Sequence, residues 1–76
     1  HKHGVSFEQA AEVFEDPMAV TFADPDHSTQ EAREITIGRS GDWIVLTVSH
    51  VEKTGKIRII SARRATRSEV KVYEGS

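Results

Sequence analysis

Three consecutive segments of this 76-residue chain have the pattern of β-strands, and short turns join them. The segments are Ala32 to Arg39, Trp43 to Val51 and Lys56 to Ala62, in which apolar and polar residues largely alternate. Ser40-Gly41-Asp42 and Lys53-Thr54-Gly55 supply the turns between them. The sequence therefore predicts an antiparallel meander. The alternation fails at one isoleucine of the last segment, which suggests that this strand is covered on both faces near its end.

A helix and a shorter strand precede the meander. Apolar residues at helical spacing predict a helix from Phe7 to Glu15, with a capping box formed by Ser6 and Gln9 at its start. A proline follows closely and ends this helix, because the residue before a proline avoids the helical conformation. Met18 to Phe22 then has the pattern of a short strand.

A second helix is expected to begin just after Thr66. Thr66 and Glu69 form another capping box, in which each side chain accepts the backbone amide of the other residue. The order helix, four strands, helix predicts an α+β fold with one domain over residues 1–76. We predict a two-layer sandwich, in which both helices cover the same face of the antiparallel sheet.

Length and composition restrict how such a domain is stabilised. A chain of 76 residues builds only a small core, and the absence of cysteine excludes disulfides and thiolate metal sites. Stability must therefore come from packing, and association into a homodimer would bury further apolar surface. There is no apolar run of membrane-spanning length and no cationic leader, so we predict a cytoplasmic protein without membrane contact.

Charge is divided unevenly between the two halves of the chain. Residues 1–38 carry two basic and eight acidic groups, whereas residues 39–76 carry eight basic and four acidic groups. Six of the basic side chains lie between Lys56 and Lys71, where the single acid is Glu69. This asymmetry predicts an anionic partner for the second half. The alternative is a solvated face with surface ion pairs, each contributing about 0 to 1 kcal/mol.

His50 is the candidate for acid-base chemistry. It ends an apolar face of its strand, and the hairpin is expected to bring it near Lys56 and Arg58. An imidazole beside arginines suits proton transfer on a phosphate ester. The alternative is a histidine that is simply hydrogen-bonded at the margin of the sheet.

The remaining histidines offer weaker candidates for metal binding. Asp24, Asp26 and His27 combine ligand types that suit several divalent ions. The preferred interpretation of this segment is an acidic loop with turn-forming residues. His1 and His3 are interpreted as solvated side chains.

Several sequence blocks resemble a known family. The blocks are K-H-G-V-S-F-E-Q-A at residues 2–10, D-P at 16–17, E-x-R-x-x-x-I-G at 31–38, His50, and R-I-I-S-A-R-R-A-T-R-x-E-x-x-x-Y-E at 58–74. They are similar to sequences of the BrnT toxins of bacterial type II toxin-antitoxin systems. The blocks occur in the same order and span essentially the whole chain. Members of that family usually open with a further strand, of F-x-W-D-like sequence, which this sequence does not include.

The resemblance implies a ribonuclease toxin with a fold similar to RelE, which blocks growth by cleaving RNA. It also implies a cognate BrnA-like antitoxin with a ribbon-helix-helix part, through which alone the complex contacts operator DNA. The catalytic set that it implies consists of His50, Arg58, Arg63, Arg64 and Arg33. The contributors to RNA binding are Lys56, Arg67 and Tyr73.

These residues predict a mechanism without a cofactor. His50 is the natural titrating group, and arginine side chains grip phosphate oxygens in pairs of hydrogen bonds. The competing hypothesis is a non-catalytic module, in which the same cations hold an antitoxin or nucleic acid and no bond is broken. A metal-dependent hydrolase using Asp24, Asp26 and His27 is a third hypothesis.

Overall fold

The computed structural model describes residues 4–27 and 31–75, in which a four-stranded antiparallel sheet is packed against two α-helices. The helices are α1 (Phe7–Glu12) and α2 (Arg67–Glu74), and the strands are β1 (Val20–Ala23), β2 (Arg33–Arg39), β3 (Val45–Lys53) and β4 (Lys56–Arg64). The strands follow one another across the sheet in chain order. The predicted α+β class and the predicted meander are confirmed.

Both helices begin at the predicted capping boxes. The Ser6 hydroxyl accepts the amide of Gln9 at 3.1 Å, and the Gln9 side chain accepts the amide of Ser6 at 2.9 Å. The same reciprocal pair joins Thr66 and Glu69 at the start of α2. The α-helical part of the first helix is shorter than predicted, because it ends at Glu12 and continues as a single 3-10 turn.

Strands β1 and β3 each begin two residues later than predicted, because side-chain contacts and turns occupy the first residues of the predicted strands. An Asp16 carboxylate oxygen accepts the amide of Met18 at 2.9 Å, so this segment is a turn before β1. Trp43 adopts a positive φ of 65° and donates its amide to the Ser40 carbonyl. Trp43 therefore belongs to the turn between β2 and β3.

The main core lies between α1 and one face of the sheet. Leu46 and Val48 of β3 are 1% and 0% exposed and pack with Val5, Ala10 and Val13. Burying branched aliphatic side chains of this kind is the main source of stability in a small domain. The first helix is thus anchored on the centre of the sheet.

The second helix packs on the opposite face. Successive side chains of a strand alternate between faces, so Thr47 points away from Leu46 and Val48. Thr47 donates its hydroxyl to Glu69 of α2 at 2.8 Å, and its β2 neighbour Ile37 is fully buried. The prediction that both helices cover one face is wrong, because both faces of the sheet carry buried residues that need cover.

A bulge in β4 explains why the strand alternation fails at Ile60. Ser49 of β3 lies opposite Ser61, but the next residue, His50, lies opposite Ile59. Ile60 is therefore an extra residue in β4 and is only half-buried. The broken alternation therefore comes from the bulge and not from a strand end that is covered on both faces. After the bulge, each side chain of β4 points to the face opposite to the one that an unbroken strand would give it.

No helix within residues 4–27 and 31–75 is long and apolar enough to cross a bilayer.

We call α1 together with the 3-10 turn Val13–Glu15 the first helical segment. Replacing Gly38 should test the contact between this segment and β2. A Cβ atom at Gly38 would lie 2.8 Å from Val13 Cγ1, so Gly38→Ala should lower the free energy of unfolding by about 1 to 3 kcal/mol. The matched control is Gly41→Ala, whose Cβ meets only the flexible carboxylate end of Glu12. Chemical denaturation of both variants measures the difference, and equal stabilities would contradict the close contact.

Candidate functional site

Three of the predicted site arginines lie on the sheet face against which α2 packs, a face that also carries Arg39 of β2 opposite Val45. Arg33 of β2 and Arg58 of β4 both pair with Val51 of β3, and Arg63 pairs with Thr47. Residues paired across an antiparallel sheet project to the same side. Arg33, Arg58 and Arg63 therefore share one surface, which we call the arginine face.

The arginine face contains a cleft of about 310 Å³. Guanidinium groups contribute to it from both β2 and β4, and hydroxyl groups contribute from β3 and β4. The residues that line it are Asp24, Arg33, Ile35, Thr47, Ser49, Ser61 and Arg63. A concave surface with two cations and several hydroxyl donors suits an anionic ligand such as a phosphate group.

Arg63 is oriented by a paired contact with Glu69. Its Nη1 and Nη2 atoms donate to the two Glu69 carboxylate oxygens, each at 2.8 Å. The Arg63 hydrogen bonds lower the pKa of Glu69 to about 2, against the opposing effect of burial, and the Thr66 amide and Thr47 hydroxyl lower it further. Glu69 is thus ionised at any physiological pH, and its hydrogen bonds raise the pKa of Arg63.

Arg58 is held more loosely than Arg63. Its Nη2 atom donates to both carboxylate oxygens of Glu31, at 2.9 and 3.1 Å, and Lys53 contacts the same carboxylate. The Arg58 and Lys53 side chains are more than 60% exposed, so solvent and salt screen these ion pairs. An anionic ligand can compete for Arg58 at little cost.

His50 lies away from the arginine face. It is 3% exposed beneath the first helical segment, its Nε2 atom is 2.7 Å from the Thr36 hydroxyl oxygen, and its ring meets Phe14 edge-on. Burial lowers the pKa of His50, partly opposed by the charges of Glu34 and Glu52. The prediction that His50 lies beside the arginines is wrong, and the alternative of a hydrogen-bonded histidine within the sheet describes it.

The other predicted site residues are dispersed. Arg64 lies exposed on the opposite face from Arg63, and Lys56 and Arg67 are exposed at the starts of β4 and α2. Tyr73 donates its hydroxyl to Asp16 at 2.6 Å, a contact that fastens α2 and raises the pKa of Tyr73. Of the predicted site residues, Arg33, Arg58 and Arg63 share the arginine face, and Lys56 lies two positions before Arg58 on the same side of β4.

The hypothesis of a metal site gains no support from the described side chains. Among them, no group of three histidine, aspartate or glutamate residues is close enough to hold an ion. Asp24 lines the cleft, and Asp26 lies in the 3-10 turn Pro25–His27. The side chain of His27, and all of His1 and His3, lie outside the described part of the chain.

Sequence reasoning missed the carboxylate that organises the site. Glu69 was recognised only as half of a capping box, although it also binds Arg63 and Thr47. A signal was present, because Glu69 is the single acid among the six cations between Lys56 and Lys71. The hydroxyl groups of the cleft had no sequence signal, since serine and threonine are common on any solvated strand.

A comparison with protein families identifies one match. The family described as "Ribonuclease toxin, BrnT, of type II toxin-antitoxin system" matches residues 1–69 of the 76 in the chain. No curated protein matches the chain significantly.

Acid should destabilise the domain through His50. Because burial lowers the pKa of His50 in the folded state, the unfolded chain binds a proton near pH 6.5 that the folded chain binds only in more acidic solution, so stability falls as the pH drops below that value. We expect a loss of up to about 1.4 kcal/mol between pH 7.5 and 5.5. Chemical denaturation at the two pH values measures it.

The control for this measurement is His50→Gln, which keeps a hydrogen-bonding group near Thr36 but does not titrate. Glu69 does not interfere, because its contribution to stability is lost only as the pH falls from its ordinary pKa of 4.5 towards its folded-state pKa of about 2, below the range measured. An equal loss of stability in the variant and the original chain would contradict the assignment to His50.

Proposed function

This chain belongs to the BrnT family of ribonuclease toxins of type II toxin-antitoxin systems, and on that premise we propose that it is an endoribonuclease that cleaves RNA at the arginine face. Cleavage of cellular RNA in the cytoplasm would stop growth. A cognate BrnA-like antitoxin with a ribbon-helix-helix part would neutralise the toxin and connect the complex to operator DNA.

The observation that supports this proposal is the cleft that Arg33 and Arg63 line together. Guanidinium groups bind phosphate through paired N–H donors, a geometry that lysine cannot supply. The hydroxyl groups of Ser49 and Ser61 lie between them as further donors. Arg58, farther along the same face, is available to a neighbouring phosphate of the RNA chain.

The reaction that suits these groups is an internal transesterification. The ribose 2′-oxygen attacks the adjacent phosphorus, the bond from phosphorus to the 5′-oxygen breaks, and the products carry a 2′,3′-cyclic phosphate and a 5′-hydroxyl. Charge develops on the phosphoryl oxygens in the transition state. A preorganised donor placed against such charge contributes about 3 to 4 kcal/mol to the rate enhancement, and we assign this role to Arg63 and Arg33.

Proton transfer needs a group other than His50, which is buried on the opposite face. We assign the acceptance of the 2′-hydroxyl proton to Asp24, the carboxylate that lines the cleft together with the two arginines. The departing 5′-oxygen takes a proton from water in this open cleft, and Asp24 returns its proton to solvent. Glu69 is unsuitable as a base, because its pKa of about 2 makes it a very weak one.

A non-catalytic module is the second candidate function. The observation that favours it is the pairing of Arg63 with Glu69 and of Arg58 with Glu31, since these cations already have carboxylate partners within the chain. In that case the arginine face would bind an antitoxin or nucleic acid without breaking a bond.

Arg63 and Arg64 provide a matched pair of variants for testing the site, because they are adjacent in sequence and lie on opposite faces of the sheet. Arg63→Gln should lower kcat/KM for RNA cleavage by about 100-fold or more. Arg64→Gln should leave it within about threefold. Cleavage of a labelled RNA by purified protein, with and without EDTA, measures both.

Three outcomes distinguish the hypotheses. Equal losses in the two variants would contradict the assignment to the arginine face. RNA binding without any turnover would favour the non-catalytic module. Loss of activity in EDTA would contradict a metal-independent reaction.

His50 should be dispensable for the chemistry. Because it has no access to the arginine face, His50→Gln should keep kcat/KM within about threefold at pH 7.5, where the native histidine is neutral in any case. The same cleavage assay, run at a temperature where a melting curve shows the variant folded, measures this. A loss as large as that of Arg63→Gln would place His50 in the reaction after all.

A further inference from the structure

One carboxylate connects three elements around the cleft. Glu69 Oε1 accepts hydrogen bonds from Arg63 Nη1, the Thr47 hydroxyl and the Thr66 amide, all at 2.8 Å. Glu69 Oε2 accepts from Arg63 Nη2, also at 2.8 Å. The start of α2, the middle of β3 and the end of β4 therefore meet at a single charged group.

The contact between Arg63 and Glu69 uses one edge of the guanidinium group. Both hydrogen bonds to the carboxylate come from terminal Nη atoms, and Nη1 also donates to the Arg64 carbonyl at 3.3 Å. A guanidinium group has five N–H donors in a fixed plane, so the Nε–H and the second Nη2–H lie together along another edge. Within residues 4–27 and 31–75 that edge has no hydrogen-bond partner.

The second edge of Arg63 is the one that a ligand can use. The Arg63 side chain is 45% exposed and lines the 310 Å³ cleft that it shares with Arg33. Glu69 is less exposed, at 23%, so it supports Arg63 from the side of the protein. A guanidinium group held along one edge loses little rotational freedom when a phosphate binds along the other.

We propose that Glu69 is a positioning residue that holds Arg63 so that the Nε–Nη2 edge of the guanidinium group binds the scissile phosphate. This inference rests on the proposed function and adds a residue to its site. Glu69 does not touch the RNA and acts only through Arg63. Thr47, which donates to the same carboxylate oxygen, fixes Glu69 in turn against β3.

The cap of α2 does not by itself require a carboxylate. A capping box works with glutamine as well as with glutamate, as Ser6 and Gln9 show at the start of α1. What glutamine cannot do is accept one Nη hydrogen bond at each of its two terminal atoms, as Glu69 does, because one of those atoms is a donor. Glu69→Gln therefore keeps the helix start and removes the paired contact with Arg63.

The test is a double-mutant cycle of RNA cleavage with Glu69→Gln, Arg63→Gln and the two together. Glu69→Gln should lower kcat/KM by about 10- to 100-fold, the size of effect expected from misplacing a catalytic group by about 1 Å. If Glu69 acts through Arg63, the double variant should be no less active than Arg63→Gln alone. Glu74→Gln, on the same helix and exposed, is the control and should have unchanged activity.

A second variant makes the test independent of the stability of Glu69→Gln. Arg63→Lys keeps a positive charge for Glu69 but offers no second edge, so it should also lose at least about 10-fold in kcat/KM while melting near the temperature of the original chain. Full activity of Arg63→Lys would overturn the inference.

Two results would separate failure of the inference from failure of the proposed function. Suppose that the original chain cleaves RNA. If Glu69→Gln is then equally active, or if the losses of the two single variants multiply in the double variant, the positioning role of Glu69 is overturned while the proposed ribonuclease function stands. If the original chain does not cleave RNA, the proposed function fails and this inference fails with it.

Discussion

A single extra residue in β4 determines which side chains share a surface. Arg58 and Arg63 are five positions apart, so an unbroken strand would direct them to opposite faces of the sheet. The bulge at Ile60 reverses the phase between them, and both side chains join Arg33 on the arginine face. The bulge also removes Arg58 from the face that carries His50, which the regular alternation of β3 places on the opposite side of the sheet from Thr47 and Val51. The composition of the candidate site therefore depends on one irregularity in the pairing of β3 with β4.

Gathering cations on one face has an electrostatic cost that carboxylates, Glu69 and Glu31 among them, offset. Glu69 is part of the cationic segment itself and is fixed by the helix start, whereas Glu31 comes from the acidic first half of the chain. The charge asymmetry of the sequence is thus partly neutralised within the folded protein. The two ion pairs differ in their surroundings. The pair of Arg63 and Glu69 is half-buried, and Glu69 also accepts hydrogen bonds from Thr47 and Thr66. The pair of Arg58 and Glu31 is more exposed, so solvent and salt screen it. An RNA phosphate would displace the second far more easily than the first, which leaves Arg63 to bind with its remaining edge.

The buried histidine illustrates how a residue suited to catalysis can serve the core. His50, Thr36 and Thr21 form a chain of polar contacts across three neighbouring strands, with separations of 2.7 Å at both steps. Phe14 meets the ring edge-on, and burial lowers the pKa of His50. A shift of one strand by one residue would move its side chain in this chain of contacts to the other face, so the contacts favour the observed register. Burial, not the type of side chain, separates His50 from the arginine face.

The sequence by itself determined the elements and their order, because strand alternation, hairpin turns and capping boxes depend on residues close together in the chain. Both helix starts, at Ser6 and Thr66, and the meander were predictable on that basis, and the quoted motifs indicated the family. The sequence blocks could not show which residues meet. A shift of one residue moves every later side chain to the other face, and the bulge at Ile60 follows from the packing of a whole strand on its neighbour. Only the tertiary structure therefore placed α2 opposite α1, separated His50 from the arginines, and showed Glu69 as the partner of Arg63.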